Sequence, residues 1–458
     1  MKRITVIAVF DIGKTNKKIF LFNEDYEIVF ERSTRLVEVE DEDGYPCENL
    51  DDLRLFVYDA LHEVLRDLRF QIKAVNVSAY GASLVLLDEI GMPLSPLYNY
   101  LKPYPEKLEH SLYSKYGGRE NFCLQTASPA LGSLNSGLQL YRLLKESPDK
   151  FRQMNVALHL PQYISYLITG QFYSDMTSIG CHTALWDYKR KAYHDWVVEE
   201  GVIAKLASIE KGNIGLEPVF SNSSFVVGLG LHDSSAALIP YLLSVHEPFV
   251  LISTGTWSIS MNPYNEKPLT KYELENDCLF YLSYLNTPVK AARIFLGNEH
   301  DVQSKRIADC FGEDYLFFNE LCLNKNKAFQ IGRQFSIDDI DFGAFSEIDL
   351  HVFANAEEAY YGLNIYLVNA QIKSLDLILE GDVPINKLFV DGGFSKNDIF
   401  MQLLAMKLNE LNISVFAASV AQATALGAAL AVHEHWNTKD IPKKIIEIKN
   451  YTEMTVRS

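Results

Sequence analysis

The sequence predicts an α/β protein made of two similar halves. Two strand–turn–strand patterns, at residues 6–22 and 249–261, are the main evidence. Each begins with an apolar run rich in β-branched and aromatic residues, which is typical of a strand buried on both faces. Each run leads into a polar turn that contains a glycine, and a third apolar run, at 387–391, ends in the pair Gly392-Gly393. This repetition predicts that one α/β unit occurs once in each half of the chain.

Length, charge and cysteine content narrow the classes of function. A chain of 458 residues, 48% of them hydrophobic, is long enough for two or three domains with sizeable cores. The net charge of −17 argues against nucleic acid or an anionic membrane as the main partner. No apolar stretch reaches the roughly 18 residues that a membrane-spanning helix needs. Six scattered cysteines without a CxxC pair or a zinc-site spacing predict free thiols, so we expect a cytoplasmic protein.

The turn of the first hairpin has groups that suit a nucleotide phosphate tail. Its polar residues are Asp11, Gly13, Lys14, Thr15, Asn16, Lys17 and Lys18. Gly13 lets backbone N–H groups approach oxygens, the lysines supply positive charge, Lys18 above all, and Asp11 could hold Mg²⁺ through water. A phosphate-binding P-loop would lead into a helix, whereas this turn leads into another strand. The alternative is an ordinary hairpin with a solvated basic turn.

The spacing of apolar residues predicts the other elements of the first half in order. They are a strand at 26–32, an amphipathic helix at 50–68 capped by Asn49 or Asp51, a strand at 72–79, a hairpin of 84–87 with 91–94, a helix at 135–145, a helix at 158–168 that ends at Thr169-Gly170, and a strand at 225–231. The polar segment 174–187 is either a wall for a polar ligand or a surface connection. A helix begins near residue 232, and the stretch from Pro240 to Pro248 indicates a domain boundary.

The second half is predicted in less detail. The segment 267–349 shows little pattern. The expected elements after it are a long helix at 353–374, the strand at 387–391, a helix at 400–411, a short strand at 415–416 and a helix of small residues at 423–431.

The glycine-bearing turns are more informative together than singly, because each alone could be a structural turn. The second turn has Thr254, Gly255 and Thr256. The third, Gly392-Gly393 with Asn397 nearby, lets the backbone approach a flat ligand such as adenine with its ribose. None of them matches the dinucleotide pattern GxGxxG. Together they indicate phosphates held between two domains.

Asp233 is the strongest single candidate for chemistry. It follows an apolar strand and precedes a helix, so it is either a helix N-cap or a carboxylate that points into a cleft, and the two roles are compatible. Phosphoryl transfer to a hydroxyl needs a carboxylate that accepts the proton, together with Mg²⁺. Asp233 and Asp11 would divide these tasks. The neighbouring His232 could donate to a sugar hydroxyl or be a structural histidine.

Several segments of the chain resemble the sequence motifs of a known protein family. Residues 11–18 resemble the motif D-x-G-T-T-S-x-R, and residues 161–170, Ser174-Asp175 and Trp186-Asp187 resemble a central P-x-D-Y-L…L-T-G…T-D…L-F-D region. Gly230-Leu231-His232-Asp233 resembles a stretch with a catalytic aspartate, residues 253–258 resemble a second phosphate turn, and residues 391–397 with Gln402, and 425–429, resemble an adenosine turn and a closing helix. With these motifs the chain is identified as a member of the FGGY family of carbohydrate kinases, and residues 253–258 are most similar to the rhamnulokinase and L-fuculokinase branch.

The resemblance implies two actin-like (ribonuclease H-like) ATPase domains with a central cleft. Residues 1–240 would form the sugar-binding domain and residues 241–458 the ATP-binding domain. The implied reaction transfers the γ-phosphoryl group of ATP to a hydroxyl of a ketose, with a deoxyketose such as L-rhamnulose or L-fuculose as the best guess. The protein would be a monomer or a homodimer, with a small sugar and ATP as its ligands.

The resemblance also implies roles for individual residues. Asp233 would be the catalytic base, and Asp11 and Asp233 would bind Mg²⁺. The sugar would contact Gly81, Ala82, Asn99, His232 and Asp233. The nucleotide would contact Thr15, Asn16, Lys18, Thr254, Gly255, Thr256, Gly392, Gly393 and Asn397.

The chain departs from the family pattern at several positions. Lys18 stands where arginine is common, Gln422 stands where glutamate is usual, and the segment Tyr98-Asn99-Tyr100 lacks the family's W-x-D-x-R or Y-R-D pattern. Other substrates therefore remain open, namely xylulose, ribulose, erythritol or glycerol. A further alternative is an actin-like sugar sensor without catalytic activity.

Overall fold

The computed structural model describes residues 3–219, 224–335, 337, 340–420 and 422–452. The strands of the first half are β1 (Ile4–Ile12), β2 (Lys17–Asn23), β3 (Ile28–Thr34), β4 (Glu38–Glu40), β5 (Pro46–Glu48), β6 (Phe70–Ala79), β7 (Leu84–Leu87), β8 (Val156–His159), β9 (Ser174–Asp175), β10 (Trp186–Asp187), β11 (Ala192–Tyr193), β12 (Ile209–Glu210), β13 (Val226–Val227) and β14 (Leu231–His232). Its helices are α1 (Leu50–Arg66), α2 (Glu106–Lys115), α3 (Arg119–Thr126), α4 (Ser136–Glu146), α5 (Pro148–Gln153), α6 (Leu160–Thr169), α7 (Met176–Ile179), α8 (Asp195–Glu199) and α9 (Asp233–Ser244).

A mixed sheet in the order β13-β6-β1-β2-β3 forms the centre of the first half, and β14 also pairs with β6. Strand β1 is antiparallel to β2 and parallel to β6. Residues 6–10 of β1 are fully buried, as the apolar run predicts for a central strand covered on both faces.

The second half repeats this arrangement. Its strands are β15 (Phe249–Thr254), β16 (Ser258–Asn262), β17 (Cys278–Leu282), β18 (Pro288–Ile294), β19 (Lys387–Gly392), β20 (Ser414–Ser419) and β21 (Glu447–Asn450), and its helices are α10 (Lys271–Glu275), α11 (Leu296–Phe311), α12 (Lys325–Gln334), α13 (Ala356–Leu379), α14 (Asp398–Asn409) and α15 (Ala423–Ala431). The sheet order is β17-β18-β16-β15-β19-β20-β21. Strand β15 is antiparallel to β16 and parallel to β19, so β15, β16 and β19 correspond to β1, β2 and β6.

Several local predictions are confirmed. The side chain of Asn49 accepts from two backbone N–H groups and caps α1, and Gly170 ends α6 in the left-handed conformation that glycine tolerates. The predicted hairpin of 84–87 with 91–94 is confirmed in a short form, since an antiparallel bridge joins Leu87 to Pro93 and Leu94 N donates to Leu86 O at 2.8 Å. The longer pairing of β7 is with the distant β8 and was not predicted. The predicted helix at 158–168 begins two residues later, since Leu158 and His159 belong to β8.

Helices α9 and α15 join the two halves. A Cβ atom on Gly427 would lie 1.8 Å from the carbonyl oxygen of Ala236, so only glycine permits this close packing. A hydrophobic cluster around the two helices also includes residues of β1, β2 and β15. The predicted boundary at residue 240 lies inside α9 and stays a prediction. Among the described residues, no helix has both the length and the apolar character that crossing a membrane requires.

Candidate active site

Asp11 is the carboxylate at the end of β1. It lies opposite Lys18 in the β1–β2 pairing, and its Oδ1 accepts a hydrogen bond of 3.0 Å from the hydroxyl of Thr424 in α15. Burial, together with the negative charge of Asp233, raises the pKa of Asp11 from 3.8 to about 6, although the Thr424 hydroxyl and the Lys18 ammonium lower it. The fold therefore places the Asp11 carboxylate within range of the charge of Asp233.

The turn between β1 and β2 is closed by its own backbone. The N–H of Gly13 donates to the carbonyl of Asn16 over 2.9 Å. Thr15 is exposed at the tip, whereas the side-chain oxygen of Asn16 accepts from Arg35 Nε at 3.1 Å. The turn thus presents Thr15 to solvent, and a neighbouring side chain already holds the Asn16 amide.

The lysines of this turn have different surroundings, although the sequence suggested that all of them serve a phosphate. Lys18 is partly exposed, with its Nζ 3.1 Å from Glu31, so it keeps access to solvent. Lys17 is buried, and its Nζ lies 2.6 Å from the carboxylate of Glu48. The expectation that Lys17 faces a phosphate is wrong, because its ammonium points into the protein.

Asp233 is the first residue of α9. The N-cap of this helix is His232, so the N-cap role considered for Asp233 is not the one it has. Its Oδ1 accepts from the N–H of Ser234 at 2.6 Å and lies 3.1 Å from Nε2 of His232. In the part of the chain that the structure describes, Oδ2 of Asp233 has no hydrogen-bond partner, so this oxygen is available to accept a proton.

His232 is buried beside the carboxylate. Burial lowers its pKa, although the charges of Asp233 and Asp175 act in the opposite direction, so the ring is neutral at physiological pH. Its Nε2 also lies 3.1 Å from Sγ of Cys181. A Cβ atom on Gly81 would lie 2.9 Å from the His232 ring, so a glycine at this position leaves room for the ring beside Asp233.

The other predicted sugar-binding residues lie in two places. Ala82 follows Gly81, and its carbonyl accepts from Nε2 of Gln139 at 2.7 Å. The Asn99 amide is already used inside the protein, since it donates to the carbonyl of Pro46 in β5 and accepts from Leu101 N, each at 3.0 Å. Asn99 borders a separate cavity of about 270 Å³ whose other polar lining residues include Tyr98, Lys102, Gln139 and Arg142.

Tyr100, in the same segment as Asn99, is half-buried. Burial raises the pKa of Tyr100, and the charges of Asp233 and Glu48 raise it further. The rings of Tyr80 and Tyr100 are 6.0 Å apart, so together they present an aromatic surface within range of the Asp233 charge. In the sequence Tyr100 belongs to the segment that departs from the family pattern, and no local signal singles it out.

The second and third turns interlock. The hydroxyl of Thr254 donates a short hydrogen bond to the carbonyl of Asp391 and accepts from Phe394 N at 3.1 Å. The N–H of Gly393 donates to the carbonyl of Thr254 at 3.1 Å. Gly392 has a φ of +88°, and a Cβ atom there would lie 1.9 Å from the backbone carbonyl oxygen of Thr254. The Thr254 hydroxyl and Gly392 therefore hold the two turns together.

A cavity of about 280 Å³ lies between these turns and the start of α11. It is lined by Gly255, Thr256, Gly297, His300, Asp301, Gly393, Phe394 and Asn397. Four of these residues were predicted to contact a nucleotide, whereas Gly297, His300 and Asp301 come from the segment in which the sequence showed little pattern. The missed signal was a glycine at a strand-to-helix junction. A Cβ atom on Gly297 would lie 1.9 Å from the Gly255 carbonyl.

Asn397 links the cavity to α13 and α14. Its Oδ1 caps α14 by accepting from Phe400 N at 3.1 Å, and its Nδ2 donates to the hydroxyl of Tyr360 at 3.2 Å. The same hydroxyl lies 3.0 Å from Nε2 of His300. Burial lowers the pKa of His300 despite the hydrogen bond with Asp301. The cavity wall is therefore an ordered polar network.

Comparison with known proteins identifies the family. The N-terminal domain of the FGGY family of carbohydrate kinases matches residues 6–207. Two forms of the C-terminal domain match residues 246–314 and 353–433. The chain belongs to the FGGY family of carbohydrate kinases. This FGGY kinase accordingly has the two-domain actin-like, ribonuclease H-like fold, with the first and second hairpins in corresponding positions of the two sheets.

Relatives of this FGGY kinase match almost end to end but at low identity. A rhamnulokinase of Oceanobacillus iheyensis is 22% identical over 97% of this chain and 98% of its own length. An L-fuculokinase of Haemophilus influenzae is 21% identical over 93% and 94%. The crystal structure of a ligand-bound xylulose kinase from Lactobacillus acidophilus superimposes with a TM-score of 0.76 at 14% identity, over 97% of this chain and 93% of that one. This structural match shows a shared fold.

Proposed function

We propose that this FGGY kinase transfers the γ-phosphoryl group of ATP to a hydroxyl of a ketose, with Asp233 as the base. The observation that carries this proposal is the environment of the Asp233 carboxylate. One oxygen accepts from Ser234 N and lies beside His232, the other has no partner among the described residues, and Asp11 lies close by. A carboxylate held in this way can accept the proton of a hydroxyl that attacks phosphorus.

The residues fit ATP and Mg²⁺. The cavity is lined by Gly255, Gly297 and Gly393. Because these residues have no side chain, their backbone groups can come close to a nucleotide. The described residues hold no cluster of three or more potential metal ligands, but Mg²⁺ is typically held by one or two carboxylates, with water and phosphate oxygens as the other ligands. Asp11 and Asp233 would be these carboxylates. When bound, Mg²⁺ neutralises charge on the phosphate oxygens.

Different side chains then have different roles in the reaction. His232, neutral and buried, lies with its Nε2 3.1 Å from Oδ1 of Asp233 and limits the orientations open to the carboxylate. Oδ2 takes the proton of the sugar hydroxyl while the hydroxyl oxygen bonds to the γ-phosphorus and ADP leaves. Lys18 and the exposed groups of the first turn offset charge on the phosphate tail.

A deoxyketose such as L-rhamnulose or L-fuculose is the proposed sugar. Two features support it. The sequence of residues 253–258 is most similar to the rhamnulokinase and L-fuculokinase branch. The rings of Tyr80 and Tyr100 lie 6.0 Å apart, within range of the Asp233 charge, and an aromatic surface suits the methyl group of a deoxy sugar. The relatives named rhamnulokinase and L-fuculokinase agree with this choice. The fold shared with a xylulose kinase keeps xylulose, and with it ribulose, erythritol and glycerol, as alternatives.

The test is an ADP-release screen with L-rhamnulose, L-fuculose, L-xylulose, D-xylulose, ribulose, erythritol and glycerol. We expect sugar-dependent ADP release that is highest with one of the two deoxyketoses. Highest turnover with another substrate would replace the proposed sugar. No release with any of them, despite nucleotide binding, would favour the non-catalytic sensor.

Asp233→Asn tests the assignment of the base. The asparagine keeps the shape of the side chain but cannot take the proton, so turnover should fall by about 10²- to 10⁴-fold. Thermal unfolding followed by circular dichroism shows whether the variant is folded. If a folded variant keeps more than about a tenth of wild-type turnover, Asp233 is not the base.

We further propose a cytoplasmic location and a monomer or homodimer. The support for the location is the set of free cysteines, since all six are unpaired in the structure. Size-exclusion chromatography with light scattering measures the oligomeric state.

A further inference from the structure

Lys17 is a buried lysine in the phosphate-facing turn. Its side chain is 2% exposed. The ammonium donates to the carbonyls of Gly13 at 3.1 Å and Lys14 at 3.0 Å, and to Oε1 of Glu48 at 2.6 Å. Three donors meet three acceptors, so the ammonium is fully satisfied inside the protein. Removing such a group leaves buried polar atoms without partners, which is costly.

The direction of these bonds determines which way the turn faces. In a trans peptide the C=O and the following N–H point in opposite directions, and the described residues contain no cis peptide. Because the Gly13 and Lys14 carbonyls point toward Lys17, the N–H groups of Lys14 and Thr15 point to the opposite face of the turn. Lys17 thus orients two backbone donors toward the space where an anion can bind.

Glu48 connects the same lysine to the sugar side of the cleft. It lies at the end of β5, where its backbone N–H and C=O pair with Leu97 at 3.3 and 3.2 Å. The segment that carries Tyr100 is joined to β5 a second time, since Nδ2 of Asn99 donates to the carbonyl of Pro46 at 3.0 Å. The second oxygen of Glu48, Oε2, is buried without a hydrogen-bond partner, and Lys17 at 2.6 Å and Lys14 at 3.9 Å supply the positive charge that compensates the carboxylate.

We infer that Lys17 and Glu48 are positioning residues that couple the sugar site to the phosphate-binding turn. The inference rests on the proposed function in placing a sugar beside the two tyrosines and a phosphate at the turn. Contact of a sugar with Tyr100 constrains the segment 97–100, whose hydrogen bonds to Pro46 and Glu48 hold β5 in place. Glu48 then holds Lys17, and Lys17 holds the two carbonyls. Neither side chain touches a substrate, and Lys18 remains the cation at the phosphate tail.

The first experiment measures Mg·ADP binding by calorimetry without sugar. Lys17→Met should weaken it by roughly tenfold to a hundredfold, because the turn loses a charge-assisted clamp. Lys290→Met is the matched control: Lys290 is also 2% exposed and pairs with Glu273 at 2.5 Å, but it lies at the far end of β18 from the second turn. The control should lose thermal stability and keep its affinity within about twofold.

The second experiment measures the coupling itself. In the wild type, a saturating sugar should tighten Mg·ADP binding, and by linkage Mg·ADP should tighten sugar binding by the same factor. Glu48→Gln keeps the size of the side chain but removes the charge, so this factor should fall toward one. The KM for ATP should rise in both variants more than kcat falls.

The outcomes show whether Lys17 and Glu48 position the turn for its ligand or only stabilise the fold. If Lys17→Met and Glu48→Gln lose thermal stability like Lys290→Met but bind Mg·ADP like the wild type, the pair has only a structural role. If Lys17→Met does not fold, Glu48→Gln and Lys17→Arg provide the same comparison. A wild type without sugar coupling refutes the link to the sugar site. If no sugar is phosphorylated but Lys17→Met alone weakens Mg·ADP binding, the proposed function fails while the role of Lys17 at the turn stands.

Discussion

Replacing Asp11 by asparagine should stabilise the protein while it abolishes activity. The raised pKa of Asp11, about 6 instead of 3.8, means that the ionised carboxylate is unfavourable in the fold. The difference corresponds to roughly 3 kcal/mol at neutral pH. Asparagine is uncharged and can still accept from Thr424, so Asp11→Asn should recover up to about this amount in the free energy of unfolding.

The stability difference between Asp11→Asn and the wild type should depend on pH in a defined direction. Because the folded protein binds the Asp11 proton more tightly than the unfolded chain does, the wild type loses stability as the pH rises from 3.8 to about 6. Asparagine does not titrate. The advantage of the variant should therefore be absent in strong acid, grow across this interval and stay constant above it. Thermal unfolding of wild type and variant at a series of pH values measures the difference.

Asp41→Asn is the control with the opposite sign. Burial alone would raise the pKa of Asp41, but the Lys102 ammonium and two backbone N–H groups outweigh it and lower the pKa. This variant should be less stable than the wild type at neutral pH, and the difference should shrink as the pH falls toward the folded-state pKa. The reasoning about Asp11 is refuted if Asp11→Asn is no more stable than the wild type at neutral pH, or if its advantage does not vary with pH.

Two glycine substitutions test close approaches in the fold. In Gly297→Ala the new methyl group would meet the Gly255 carbonyl at 1.9 Å, so calorimetry should show Mg·ADP affinity reduced by about tenfold or more. Unchanged affinity would remove this junction from the nucleotide site. Gly427→Ala should cost about 1–3 kcal/mol, because the methyl group forces α9 and α15 apart. Gly332→Ala, whose Cβ would have no atom closer than 3.7 Å, should show no loss in thermal unfolding.

Pairings between neighbouring strands were predictable, and distant ones were not. The hairpins β1–β2 and β15–β16 follow from apolar runs separated by a short polar turn, which is local information. The predicted pairing of 84–87 with 91–94 used the same logic and is present as a short hairpin. The longer partner of β7 is β8, which begins at Val156, and the apolar pattern of β7 carries no information about a partner so far along the chain.

In the site, too, local features were predictable from the sequence and contacts between distant residues were not. The alternation of side chains along a strand places Lys17 and Lys18 on opposite faces of β2, and the sequence carries this much. Which of them is buried depends on Glu48, which lies on β5 and reaches Lys17 only in the folded chain. In the same way, Gly297 and His300 border the cavity between the second and third turns because β18 ends beside the second turn, in a segment whose sequence showed little pattern.

By itself the sequence determined the two-half α/β architecture, the glycine-bearing turns and the junction that carries Asp233. These depend on periodicity and turn chemistry, which act over a few residues. Only the tertiary structure decided that the charges of Asp11 and Asp233 act on each other, that the charge of Asp233 also acts on Tyr100, and that Lys17 holds the first turn from inside. These relations depend on burial and on charges far apart in the chain, and neither exists until the sheets and helices pack.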